Sequence, residues 1–222
     1  MRRAEKEKAL ATLDEIERLT SVPGRDGGAV EIGLPGIDGR ALDLMVKVAR
    51  GKDSLKLLVE RYSASRSVVI VGALLFVLLK RAESTTHKDA YLLFDFIENL
   101  QRKDNPGVLV TTLTAIGHQI GLAQVWQRTR MPESLYPFLQ HCLDFAGVKA
   151  NWIHRGLSDA VQLGAIDILL DMCRAKIFAL NFAPEQRRWL ESKAKEIADL
   201  NTDHAEFQAR AASFLNCLQA AD

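Results

Sequence analysis

Three segments, beginning near Arg66, Pro106 and Asn151, repeat one pattern of residue sizes at offsets of about 40 and 44 positions. Val69, Ala73 and Phe76 are followed by Leu109, Leu113 and Ile116, then by Ile153, Leu157 and Ala160. Each triple has the i, i+4, i+7 spacing of one helix face. The stretches ahead of these segments echo too. Leu55, Leu58, Val59 and Tyr62 correspond to Leu93, Phe96, Ile97 and Leu100, while Leu92, Phe96 and Leu100 correspond to Leu135, Leu139 and Leu143. A two-helix unit recurring every ~40 residues predicts stacked helix pairs, because one pair cannot bury its apolar face alone. Such folds present surface and seldom advertise chemistry.

Local signals agree with an all-α chain. Leu10, Leu13, Ile16 and Leu19 recur at near-helical spacing between charges, predicting a helix over Ala4 to Leu19. Val22 to Gly39 holds six of the 14 glycines, with Pro23 and Pro35, and reads as a loop containing at most a short extended piece over Ala29 to Ile32. Helices then follow over Ala41–Arg50, a segment capped by Asp53 or Ser54 that runs to Tyr62, Arg66–Arg81 and His87–Gln101. Asp104-Asn105-Pro106 starts the next, reaching about Gln124. Glu133–Phe145 comes next, then Asn151–Leu163 and Ile166–Leu180 split by Gly164, Glu185–Leu200, and Ala205–Ala220 capped by Asp203. The expected organisation is an N-terminal helix and Gly-rich loop over 1–40 acting as a cap, and a helical repeat domain over 41–222.

The matched apolar positions and two-helix period over about residues 41–180 resemble HEAT/armadillo-like repeat proteins. That resemblance implies a right-handed α-solenoid. Regular Asp/Arg pairs near each second helix are missing here, so an irregular helical bundle stands as the alternative.

Chemistry is sparsely signalled. His87, His118, His141, His154 and His204 show no metal-binding i, i+4 pair and no HExxH. Cys142, Cys173 and Cys217 lie far apart in apolar helical patterns and read as buried reduced thiols. Gly33, Gly36, Gly39 and Arg40 precede a helix but lack phosphate-loop spacing. No nucleophile motif occurs. The expectation is a non-enzymatic protein with no cofactor and no metal.

Net charge is +1, which disfavours a dedicated nucleic-acid binder. The largest basic concentration runs from Arg40 to Arg66, with seven cations against three carboxylates, and reads as a solvated helix face. Val68 to Leu79 is uncharged but too short to span a bilayer. A cytoplasmic location and no membrane partner are expected. The partner is another protein, and the oligomeric state is left open.

One surface stands out by register. Thr111, Thr114 and His118 lie on a polar stripe beside the core face of their helix, and Arg155, Ser158 and Gln162 stand 44 positions later. With Asp159 and Trp126, whose neighbours Arg128 and Arg130 suit a contact hot spot, these form the candidate partner-binding surface. Forty positions earlier the equivalents are apolar: Val71, Leu74 and Leu78 form a face to be covered by the N-terminal helix or used as a groove. The favoured role is a protein-binding repeat protein, such as a bacterial adaptor or a toxin-neutralising immunity protein. The rival resemblance, to HEAT-like alkylpurine DNA glycosylases, implies a DNA-binding concavity whose best candidates are Trp126, Trp152, Arg155 and Asp159.

Overall fold

The computed structural model describes residues 3–20, 39–62, 74, 77, 90–100, 104–121, 126–127, 130–145 and 152–220, except for the side chains of 20, 52, 90–92, 95, 152–155 and 157. Those residues form ten helices and no strand. They are α1 (Arg3–Thr20), α2 (Gly39–Ala49), α3 (Lys52–Tyr62), α4 (Ala90–Asn99), α5 (Pro106–Ile120), α6 (Leu135–Leu143), α7 (Trp152–Arg174), α8 (Phe178–Asn181), α9 (Pro184–Leu200) and α10 (Ala205–Gln219). The chain divides into two compact units, Met1–Thr111 and Thr112–Asp222. The expected Gly-rich loop, the expected Arg66–Arg81 helix apart from Leu74 and Val77, which are helical and buried, and the side chains of Ile153 and Leu157 lie outside the described residues.

In the first unit α1 packs on α2 and α3, α2 on α3, and α3 on α4. The buried stripe of α1 is Ala9, Leu13 and Ile16, with Leu10 and Leu19 only half-buried, so the expected stripe is rotated by one position at its start. Tyr62 is buried and its hydroxyl donates to the Leu13 carbonyl at 2.9 Å. That bond satisfies the phenol while burial pushes its pKa up to about 12. The basic run is partly paired to α1: Arg61 contacts Glu17 at 2.7 Å and Asp14 at 2.8 Å, and Arg40 reaches Glu15 at 3.4 Å. The expected cap at Asp53 or Ser54 is displaced. α3 already begins at Lys52, and the Ser54 hydroxyl instead donates back to the carbonyls of Val48 (2.6 Å) and Gly51 (3.0 Å), closing the α2–α3 turn.

The start of α5 follows its local signal. Asn105 Oδ1 accepts the Val108 N–H at 3.1 Å, and Pro106 takes the first helical position, where a missing N–H costs nothing. Leu109, Leu113, Ile116 and Ile120 are buried, as their spacing requires. The helix stops at Ile120, short of Gln124.

In the second unit the part of α5 from Thr112 onward, α7 and α10 run in one direction. Gly117 lies against Ile168 as Gly164 lies against Leu113, and Asp167 and Cys173 of α7 face Arg210 and Cys217 of α10. α6 and α9 run the opposite way to these. Tyr136 meets Trp189 at 6.2 Å near their starts, and Asp144 meets Lys193 at 3.0 Å further along. α6 packs on α7 and α9, while α10 packs on α7 and α9. The second unit is therefore built of consecutive antiparallel pairs, α6/α7 and α9/α10, laid side by side.

Two expectations fail here. α7 is one 23-residue helix, with no break at Gly164. A Cβ at Gly164 would stand 3.2 Å from Leu113 Cδ1, so the glycine serves close packing of α5 on α7 and is no stop signal. α10 is also preceded by His204 as its N-cap, without a side-chain bond, and not by Asp203. Gly156, by contrast, has nothing within 4 Å of an added Cβ, and it is exposed in α7. Gly156→Ala is expected to stabilise the protein by ~0.5–1 kcal/mol through helix propensity. A urea midpoint at or below wild type would contradict that.

Candidate functional site

The polar strip does not form as the 44-residue register requires. Thr114 and His118 are exposed, and Thr111 is half-buried, its hydroxyl donating to the Gly107 carbonyl at 2.9 Å. Ser158, however, is buried at 7% exposure, on the core stripe of α7 with Val161, Ala165 and Ile168. Gln162 is half-buried and spends its amide on the Leu143 carbonyl at 3.0 Å, closing the end of α6. Trp126 is fully buried, and its indole N–H donates to the Gln119 carbonyl at 2.8 Å, which removes it from any contact surface. The side chains of Trp152, His154 and Arg155 lie outside the described residues, as do Val71 and Leu78.

The physical reason is a turn of α7 about its axis: its buried stripe runs through Ser158, Val161, Ala165 and Ile168, about one position on from the expected stripe, whose Ala160 is only half-buried. Residues facing each other across α5 and α7 are 51 positions apart, as with Leu113 and Gly164, and not 44. The difference of seven residues is about two helical turns, an axial slide of roughly 10 Å at 1.5 Å per residue that leaves each side chain on nearly the same face.

Asp159 lines a cavity of about 420 Å³ with Asp167, His204, Glu206 and Arg210. Arg210 is ion-paired to both Asp167 and Glu206. Three carboxylates against one guanidinium make this cavity a poor seat for a phosphate backbone. Among the described residues no three His, Cys, Asp or Glu side chains converge as a metal site.

Two further cavities of the second unit share Ala179, Pro184 and Arg187. The first, about 840 Å³, is lined by Arg130, Met131, Tyr136, Leu180, Phe182 and Arg187, among others. Tyr136 packs its ring on Phe182 and Trp189, both centroids at 6.2 Å, and Leu180 stands 47% exposed. The loop wall is pinned by Asn181, whose side-chain carbonyl accepts the Met131 N–H at 2.6 Å while its amide donates to Ile177.

The second, about 700 Å³, lies where the ends of α7 and α10 meet the start of α9. Cys173, Phe178 and Leu218 supply apolar lining, and Arg174, Lys176, Arg187 and Arg188 supply charge. Cys173 is a free thiol whose pKa burial pushes up to about 12, with Cys217 beside it adding to the shift. At neutral pH it is protonated, and therefore no nucleophile. Sequence reading missed these cations because they come from separate helices. A signal was present all the same: Arg187 and Arg188 sit in the early turns of α9, where the positive end of the helix dipole disfavours cations.

Comparison of the chain with family models, curated proteins and solved structures returns no match. Among the described residues no helix is long and apolar enough to cross a membrane.

Proposed function

We propose that the chain is a non-enzymatic binding protein built of HEAT-like helix pairs, which takes a segment of another protein in the groove beside α6, α8 and α9. The side-by-side α6/α7 and α9/α10 pairs support the solenoid reading, since each pair buries its apolar face against the next. The observation that carries the functional reading is the 840 Å³ groove itself. It combines aromatic side chains, an exposed leucine and arginines, the residue types that dominate interface hot spots. Arg130 and Arg187 against Glu133 call for a segment with an apolar anchor flanked by carboxylates. Such a scaffold suits an adaptor or a toxin-neutralising immunity protein.

The test uses a partner captured from the native source, purified, and titrated against variants. Leu180→Asp and Arg130→Glu alter exposed positions, so their stability should stay within about 0.5 kcal/mol of wild type. Each is expected to weaken partner binding at least tenfold. Unchanged affinity in both would remove the groove as the binding surface.

A further inference from the structure

We infer that the 700 Å³ cavity at the junction of α7, α9 and α10 is a binding site for a small organic phosphate, held through Lys176, Arg187 and Arg188. The site adjoins the protein-binding groove and shares Ala179, Pro184 and Arg187 with it, while Lys176 and Arg188 line this cavity alone.

Unused charge is the first ground. Arg187 is half-buried, and its Nε is fully buried without a hydrogen-bond partner. A buried guanidinium N–H left without a partner is costly, and the cost falls if a ligand draws the half-buried Arg187 side chain forward into the cavity. Among the described residues the side chains of Arg188 and Lys176 have no hydrogen-bond or ion-pair partner either. Arg174 is accounted for otherwise, by the carbonyl end of α7 and by Asp171 at 3.7 Å. Glu191, the carboxylate of the lining, is drawn to Lys195 at 2.8 Å.

Backbone strain is the second ground. α7 ends in a Schellman turn, with Ile177 N–H bonded to the Met172 carbonyl and Lys176 N–H to the Cys173 carbonyl, both at 2.9 Å. The turn needs one residue in the left-handed region. Here that residue is Lys176, at φ 58°, where glycine is the usual occupant. Among the described residues it is the only non-glycine with positive φ. A lysine kept in an unfavourable conformation at the mouth of a cavity is the kind of strain retained for function.

The ligand class follows from the lining. Guanidinium forks match phosphate oxygens in bidentate geometry, and three unneutralised cations call for more than one negative charge. The cavity lies within the roughly 300–1,000 Å³ range of small-molecule sites. Phe178, Leu218 and Pro184 give an apolar body somewhere to rest.

Isothermal titration at fixed physiological salt, with adenosine diphosphate, pyrophosphate and citrate as probes, tests the assignment. Saturable binding of adenosine diphosphate is expected, tighter than pyrophosphate and at least tenfold tighter than citrate. Arg187→Gln should weaken it at least tenfold. Lys176→Gly should weaken it severalfold while leaving the melting temperature equal to or above that of wild type, because glycine relieves the left-handed strain. Should Arg187→Gln fail to fold, Lys176→Gly alone decides. No saturable binding of either phosphate, citrate binding as tightly as the phosphates, or wild-type affinity in Lys176→Gly would overturn the proposal. None of these readouts depends on the protein partner, so failure here leaves the groove untouched and the converse also holds.

Discussion

Phe214→Ala is expected to destabilise the second unit by ~3–5 kcal/mol, the largest single effect of those considered. Phe214 is fully buried on α10, the helix that packs on both α7 and α9. Its ring meets Phe178 edge-on at 5.6 Å, and Phe178 in turn meets Phe182 at 5.1 Å. Truncation removes the transfer energy of the ring, opens a void at a three-helix junction, and strips the partner from an aromatic pair worth ~0.5–1.5 kcal/mol beyond area. Total stability of domains is only ~5–15 kcal/mol, so the loss should move the urea midpoint far. All three tryptophans, Trp126, Trp152 and Trp189, fall within Thr112–Asp222, so tryptophan fluorescence reports this unit directly. A wild-type midpoint would mean that α10 does not close the core.

Leu113→Ala is expected to cost ~2–5 kcal/mol, and Gly164→Ala to recover part of it. Leu113 is buried at 3% exposure, with its Cδ1 3.2 Å from where a Cβ on Gly164 would sit. In the wild-type background two effects oppose each other. Alanine gains ~0.8–1 kcal/mol of helix propensity over glycine, while its methyl crowds a leucine that must shift by a few tenths of an ångström. Gly164→Ala alone should therefore lie within about 1 kcal/mol of wild type. Once Leu113 is alanine the crowding is gone and the methyl fills part of the void, so both terms stabilise. A double-mutant cycle should give a coupling of at least ~0.5 kcal/mol. An additive cycle would show that these two positions do not touch, and that α5 and α7 pack in another register.

How far the sequence was legible depends on how far each signal reaches along the chain. Asn105-Pro106 needed only the next three residues to specify an N-cap, and the cap bond to Val108 is present. The stripe Leu109, Leu113, Ile116 and Ile120 needed one helix, and it is buried. Caps proposed from a single side chain did less well. Ser54 had a competing acceptor in the preceding helix, and Asp203 stands one residue too early for the helix that begins at Ala205. The candidate strip needed two helices in a known register. A period in apolar size does not fix the rotation of a helix about its axis to within one residue, so Ser158 falls in the core and Gln162 is a strut for α6.

By itself, the sequence determined the all-α class, most helix ends and the core face of α5, because these rest on propensity, capping and periodicity within a few turns. Only the tertiary structure decided that Gly164 is a packing contact and not a stop. The propensity penalty of one glycine, about 1 kcal/mol, is smaller than what a continuous α7 gains by packing on α5, α6 and α10. The same holds for the cavity cations. Lys176 and Arg187 stand eleven positions apart on the ends of different helices, and the four-residue α8 between α7 and α9 turns them toward one cavity. Charge is written in the sequence, but its convergence in space is set by packing.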